Sequence, residues 1–131
     1  MKLNMDEILL INALARVANV NAKDCLVGDH IVSYLVKGSE VGKAIGKKAI
    51  NVKELEKKLN KRIEIIGFET KPEEVIKKTF EIELGEIKQK KGRLTIGLDN
   101  TNKKKVLSNS SRLRRVKELM KRNYDLEVNL K

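Results

Sequence analysis

The chain has 131 residues, of which 29 are Lys or Arg and 18 are Asp or Glu, a net charge of +11. Hydrophobic residues make up 40%, enough for a folded core, and the length suits one domain or two small ones. One cysteine, Cys25, and one histidine, His30, exclude an internal disulfide framework and a Cys/His zinc site.

The elements follow from periodicity and punctuation. Asn4, with Glu7 three residues on, predicts a capped helix start, and Leu10, Leu14 and Val17 form its apolar stripe to about Val20. Strands are expected at Asp24–Val27 and Ile31–Lys37, joined around Gly28-Asp29. Cys25 and His30, five apart and without an activating third group, read as a buried thiol and a turn histidine. A short helix is expected over Val41–Ile45, then a tight turn, Gly46-Lys47-Lys48-Ala49. A second helix reaches about Asn60, and residues 61–67 alternate as a strand with Ile63 and Ile65 on one face.

The same order then recurs. Thr70-x-x-Glu73 is a capping-box pattern with Pro72 in the first turn of a helix over Pro72–Thr79. Strands are expected near residues 80–89 and 93–98, meeting at Lys90-Lys91-Gly92, with Glu81, Glu83 and Glu86 as surface charges along the first. A short helix or turn at residues 102–107, a long basic helix over residues 111–123 and a last strand at residues 124–129 complete the copy. Val32, Tyr34 and Val36 reappear as Leu94, Ile96 and Leu98, an offset of 62, which also maps Gly46 to Ser108. Beyond the turn the offset reads as 61, placing Val52, Leu55 and Leu59 on Leu113, Val116 and Met120, and Ile63 and Ile65 on Tyr124 and Leu126. Both copies read αββααβ, with a boundary near residues 67–71.

The positive charge is segregated. Residues 42–62 are net +6 and residues 103–122 net +8, leaving the rest of the chain at −3. Two basic windows on an acidic body are the footprint expected for a polyanion. Four aromatic rings (Tyr34, Phe68, Phe80, Tyr124) barely supply a core, so modules that stack bases on exposed rings are disfavoured. No apolar run reaches the roughly 20 residues of a transmembrane helix. The longest, residues 8–15, lies between Asp6-Glu7 and Arg16, and those carboxylates argue against a secretory signal, so a cytoplasmic protein with no membrane partner is expected.

The chemistry is expected at Gly46–Ala49. A turn between two helices presents backbone N–H groups at a helix N-terminus, which favours an anion. Gly46 permits positive φ and close backbone approach, Gly42 offers the same one turn earlier, and Lys47 and Lys48 sit at the tip.

Residues 41–55, VGKAIGKKAINVKEL, followed by Lys61-Arg62-Ile63-Glu64-Ile65-Ile66, resemble the GxxG region of a type II KH domain, in particular the first KH domain of NusA-like transcription factors. Residues 114–119, RRVKEL, and 121–126, KRNYDL, resemble the end of that family's second KH domain. The resemblance spans essentially the whole chain, and the length resembles that of the short, archaeal-type members. It implies an α/β (α+β) fold of two tandem KH-like αββααβ modules, residues 1–68 and 69–131, each a three-stranded mixed sheet packed against helices.

It implies single-stranded RNA, such as a nascent transcript, as the ligand, with the GxxG turn holding the sugar-phosphate backbone. Gly42, Lys43, Gly46, Lys47, Lys48, Ala49, Asn51 and Lys53 are the contact residues so implied in the first module. Ala49 replaces the motif's last glycine, a mild departure for a residue already helical. In the second module they are Ser108, Asn109, Ser110, Ser111, Arg112, Arg114 and Arg115, the turn having lost both glycines. The function so implied is a non-catalytic factor in transcription elongation or termination, with RNA polymerase as a further partner and no cofactor, metal or small-molecule substrate. The alternative is a KH-fold protein-interaction module docking on RNA polymerase or a ribosomal particle. No nucleophile–base or metal-ligand constellation favours an enzyme.

Overall fold

The computed structural model describes residues 3–131, which divide into two compact units, one ending at Phe68 and the other spanning Glu69–Lys131. Each contains three helices and a three-stranded sheet in the order αββααβ.

In the first unit, α1 (Met5–Ala18) starts on a reciprocal cap. The Asn4 side chain accepts from the Glu7 amide at 2.8 Å, and the Glu7 carboxylate accepts from the Asn4 amide at 2.9 Å. The helix stops at Asn19, which is left-handed at φ 56°. β1 (Asp24–Val27) pairs antiparallel with β2 (Ile31–Lys37), which pairs parallel with β3 (Arg62–Phe68). The β2–β3 crossover is α2 (Val41–Ile45), a tight turn and α3 (Ile50–Leu59). Leu14, Val20, Cys25, Val32, Tyr34, Val36, Ala44 and Leu55 form the core between helices and sheet. Tyr34, fully buried, satisfies its hydroxyl by donating to the Leu10 carbonyl at 2.6 Å, so β2 is tied to α1. His30 is exposed in the β1–β2 turn.

In the second unit, α4 (Pro72–Phe80) begins on Lys71 with no side-chain cap. Thr70 does not form the expected capping box, because Pro72 occupies the first helical position and fixes the cap one residue later. β4 (Ile87–Lys90) pairs antiparallel with β5 (Arg93–Ile96), which pairs parallel with β6 (Glu127–Leu130). Between β5 and β6 lie α5 (Asn100–Leu107) and α6 (Ser110–Tyr124). Leu94, Ile96, Val106, Leu113, Val116, Met120 and Val128 are all buried.

Two expected strand starts are helix instead. Phe80 closes the buried stripe Val75-Ile76-Phe80 of α4, and Glu81 caps the helix at φ 54°. Residues 81–86, Glu81, Glu83 and Glu86 among them, are then irregular rather than a strand edge. Gly85 donates to the Gly97 carbonyl at 2.7 Å, and a Cβ on Gly85 would lie 2.9 Å from that oxygen. Tyr124 likewise closes α6, and Asp125 caps it at φ 54°. The sheet registers set Val32 beside Ile63 and Leu94 beside Val128, so the repeat offset at the last strand is 65, not 61. The four extra residues are about one α-helical turn, which lengthens α6 without rotating its buried face. Ile63 therefore corresponds to Val128, and the match to Tyr124 fails.

The extra turn has a partner. The Tyr124 hydroxyl accepts from the Glu69 amide at 2.9 Å and donates to the Glu69 carbonyl, holding the first residue of the second unit. Burial raises the Tyr124 pKa, the hydrogen bond to the Glu69 backbone opposes this, and the Glu69 carboxylate adds to the rise.

Candidate nucleic-acid interface

The first turn is built by left-handed backbone. Gly46 lies at φ 81°, ψ 165°, a region open essentially to glycine alone. A Cβ there would come 2.8 Å from Asn51 Nδ2 and 2.9 Å from its Cγ. Lys48 (φ 54°) and Ala49 (φ 59°) follow in the left-handed region, and α3 begins at Ile50 with no side-chain cap on Ala49. Ala49 is therefore not helical as expected. It carries the steric cost of an L residue in this conformation, about 1–2 kcal/mol. The Gly46 amide closes on the Gly42 carbonyl at 2.9 Å and the Ala49 amide on the Gly46 carbonyl at 3.0 Å.

Asn51 pins this shape from outside: Nδ2 donates to the Lys43 carbonyl at 3.0 Å, joining the first turn of α3 to the end of α2. Lys43, Lys47, Lys48 and Lys53 are all exposed, and none is in an ion pair among the described residues. Four free ammonium groups thus flank a helix N-terminus whose dipole has the same sign. Gly42, inside α2, is exposed, and a Cβ on it would meet nothing within 4 Å. Ile50, the residue after the turn, is 63% exposed. It was not among the expected site residues, since an isoleucine opening a helix reads as core.

The second turn has another geometry. α5 is capped by Asp99, whose carboxylate accepts from the Asn102 amide at 2.7 Å. Ser108 stays right-handed at φ −69°, its amide donating to Lys104 O at 2.9 Å and its hydroxyl to Lys105 O at 2.8 Å. Asn109 is at φ −113°, and α6 starts at Ser110 with no side-chain cap. No residue of 108–111 has positive φ, so this turn needs no glycine. Residues 108–111 are all exposed, and of them the Ser108 hydroxyl is hydrogen-bonded back into α5.

The arginines also divide. Arg114 is exposed, whereas Arg112 and Arg115 are half-buried and have partners within the structure. Arg114, Lys117, Glu118 and Lys121 line one wall of a groove of about 420 Å³ whose other wall is Leu126–Asn129 of β6 and its approach. Lys117 and Lys121 were not expected there, although the spacing 114, 117, 121 marks one helix face. Lys121 is 3.6 Å from Asp125 in an exposed pair. Among the described residues no group of three or more His, Cys, Asp or Glu could hold a metal ion, and no helix is long and apolar enough to cross a membrane.

Comparison with known proteins adds the family. No family profile matches the chain. A probable transcription termination protein NusA of Methanocaldococcus jannaschii is 40% identical over 67 residues, 51% of this chain and 37% of that protein. A probable transcription termination protein NusA of Methanococcus vannielii is 33% identical over 91 residues, 69% of this chain and 53% of that protein. The chain is NusA-like, of the archaeal type. The matches span between about a third and a half of the length of these relatives. The fold of the NusA-like chain also matches a solved structure. The crystal structure of APE1850 superimposes with a TM-score of 0.83 at 19% identity, covering 98% of this chain and all of the other. That likeness concerns the fold, a tandem of KH-like modules.

Proposed function

We propose that this NusA-like chain is a non-catalytic, cytoplasmic factor that binds single-stranded RNA and acts with RNA polymerase in transcription elongation or termination. The observation that carries the RNA part is the Gly46–Ala49 turn, left-handed at three of its four positions and ringed by Lys43, Lys47, Lys48 and Lys53. The transcription part is supported by the names of the two relatives. In this reading the sugar-phosphate chain crosses α2 at Gly42, where no side chain stands in the way, and follows the backbone of the Gly46 turn. Lys47 and Lys48 neutralise phosphates, and Asn51 positions the turn. The first module is the main site. The second is auxiliary, contributing Arg114, Lys117 and Lys121 along its groove, while Ser108, Arg112 and Arg115 chiefly shape the fold.

The test is a titration of short single-stranded RNAs at several salt concentrations against wild type and a Lys47→Ala/Lys48→Ala variant. Each phosphate contact contributes about 0.7 to the slope of log K against log salt, so losing two flattens it by roughly 1.4. The loss is expected to be alike for all sequences. Unchanged affinity and slope would leave the turn a structural feature only. The second reading, a protein-docking module, is favoured by one observation: Met5, Ile8 and Leu9 are exposed on α1 at 69%, 41% and 57%. It predicts that Leu9→Asp abolishes polymerase association while leaving RNA binding intact.

A further inference from the structure

The second sheet carries a charged surface that belongs to neither basic window. Along β4 and β5, Leu94 and Ile96 turn into the core, and the alternate positions Lys88, Lys90, Arg93 and Thr95 share the other face. Lys90 stands directly opposite Arg93, and Lys91 occupies the hairpin tip beside Gly92 at φ 67°. Like charges opposite one another across a strand pair destabilise a hairpin. β4 is exposed along its whole length, so no burial offsets that repulsion. The carboxylates nearby are few. Glu86 is 3.9 Å from Lys88, and Glu127 lies across from Arg93 on β6 without an ion pair between them. Lys88, Lys90, Arg93, Thr95 and Lys131 surround a depression of about 250 Å³.

We propose that this face of the second sheet binds the phosphate backbone of a base-paired RNA stem, independently of the Gly46–Ala49 turn. A polyanion relieves the Lys90–Arg93 repulsion, which Glu127, across from Arg93 on β6 but in no ion pair with it, offsets only in part. A protein partner fits poorly, because interface cores are depleted of charge and built around apolar or aromatic anchors, and this face has none. A single strand fits less well than a stem. Its unstacked bases gain from aromatic platforms, about 1–3 kcal/mol per base, and no aromatic residue lies on β4, β5 or β6. A duplex keeps its bases stacked inside and presents phosphates, which A-form readers recognise by shape. Cations two residues apart on a strand are spaced by about 6.6 Å, a pitch at which neighbouring phosphates can each meet one.

The experiment compares wild type, a Lys88→Ala/Lys90→Ala/Arg93→Ala variant and the Lys47→Ala/Lys48→Ala variant. Each is titrated with a blunt RNA hairpin stem, an unstructured single strand and phosphatidylserine vesicles. The sheet variant is expected to lose at least tenfold in stem affinity. Its salt slope should flatten by about two to three, at 0.7–0.9 per contact, with single-strand binding within twofold of wild type. Thr95→Lys, which adds a cation between the others, should tighten stem binding severalfold, a gain that misfolding cannot produce. Stem affinity unchanged in the sheet variant, or no stem binding by wild type, overturns the proposal. So does a sheet variant that loses only vesicle binding. If the Lys47→Ala/Lys48→Ala variant keeps full single-strand affinity while the sheet variant loses the stem, the turn reading fails and this one stands.

Discussion

Gly42 and Gly46 lie four residues apart, and replacing each with alanine should move stability in opposite directions. Gly42 is in α2 with open space where a Cβ would go. Alanine there removes the excess backbone entropy of glycine, worth about 0.5–1 kcal/mol in a helix. The five-residue length of α2 puts the gain toward the lower end. Gly46 is different. Its φ of 81° with ψ of 165° costs an L residue about 1–3 kcal/mol. The new Cβ would also press on Asn51 at 2.8 Å, endangering the Asn51–Lys43 hydrogen bond, about 1 kcal/mol more. Gly46→Ala should therefore lose about 2–4 kcal/mol in all, and Gly46 variants test folding as much as binding. Gly42→Ala is the clean probe of RNA approach. It should unfold at the same or slightly higher denaturant concentration than wild type. If a sugar-phosphate chain passes over α2, it should bind single-stranded RNA about tenfold more weakly, or 1.4 kcal/mol. Urea unfolding and fluorescence anisotropy on the same preparations give both numbers. A Gly42→Ala protein that is more stable and binds as tightly as wild type would refute the path over α2. A destabilised one would refute the open space at Gly42.

Three further outcomes are expected. Ala49→Gly should stabilise the protein by up to about 1 kcal/mol, since relief of left-handed strain outweighs the added freedom of the unfolded chain, and thermal unfolding checks it. Tyr34 is raised above its ordinary value of 10.0, first by burial and then by Cys25, so its contribution to stability is intact below pH 10 and declines as pH rises beyond it. Tyr34→Phe should cost about 1 kcal/mol at pH 7 through the lost bond to Leu10 and should make the alkaline decline shallower in pH-dependent denaturation, with Tyr124 accounting for part of what remains. Arg114→Ala, at an exposed position, should stay within about 0.5 kcal/mol of wild type yet flatten the RNA salt slope. Arg115→Ala, half-buried and partnered, should lose about 1–3 kcal/mol, and paired unfolding and binding titrations separate the two.

Local chemistry was enough for much of this molecule. The Asn4–Glu7 cap, the limits of β1 and β2, the five residues of α2 and the twice-repeated αββααβ order all follow from signals within a few residues. The turn at Gly46 was legible as well, but the need for glycine there comes from φ 81° and from Asn51, 2.8 Å from where a Cβ would stand; the matching turn at Ser108 needs none. What lay beyond the sequence depended on distant partners. Tyr124, in the alternation Tyr124-Leu126-Val128, reads as a strand residue. It is also four residues after Met120 on the buried face of α6. Its hydroxyl is held by Glu69, 55 residues away, and the helix takes one more turn. Phe80 posed the same ambiguity, and burial on α4 decided it. Ala49 has no local reason to be left-handed; the Asn51–Lys43 bond and the closure of the Ala49 amide on Gly46 stabilise that geometry. The cationic face of the second sheet needed the β4–β5 register before Lys90 and Arg93 could be placed opposite each other. Periodicity places a side chain on a face of its own element, and only pairing between elements decides what that face meets.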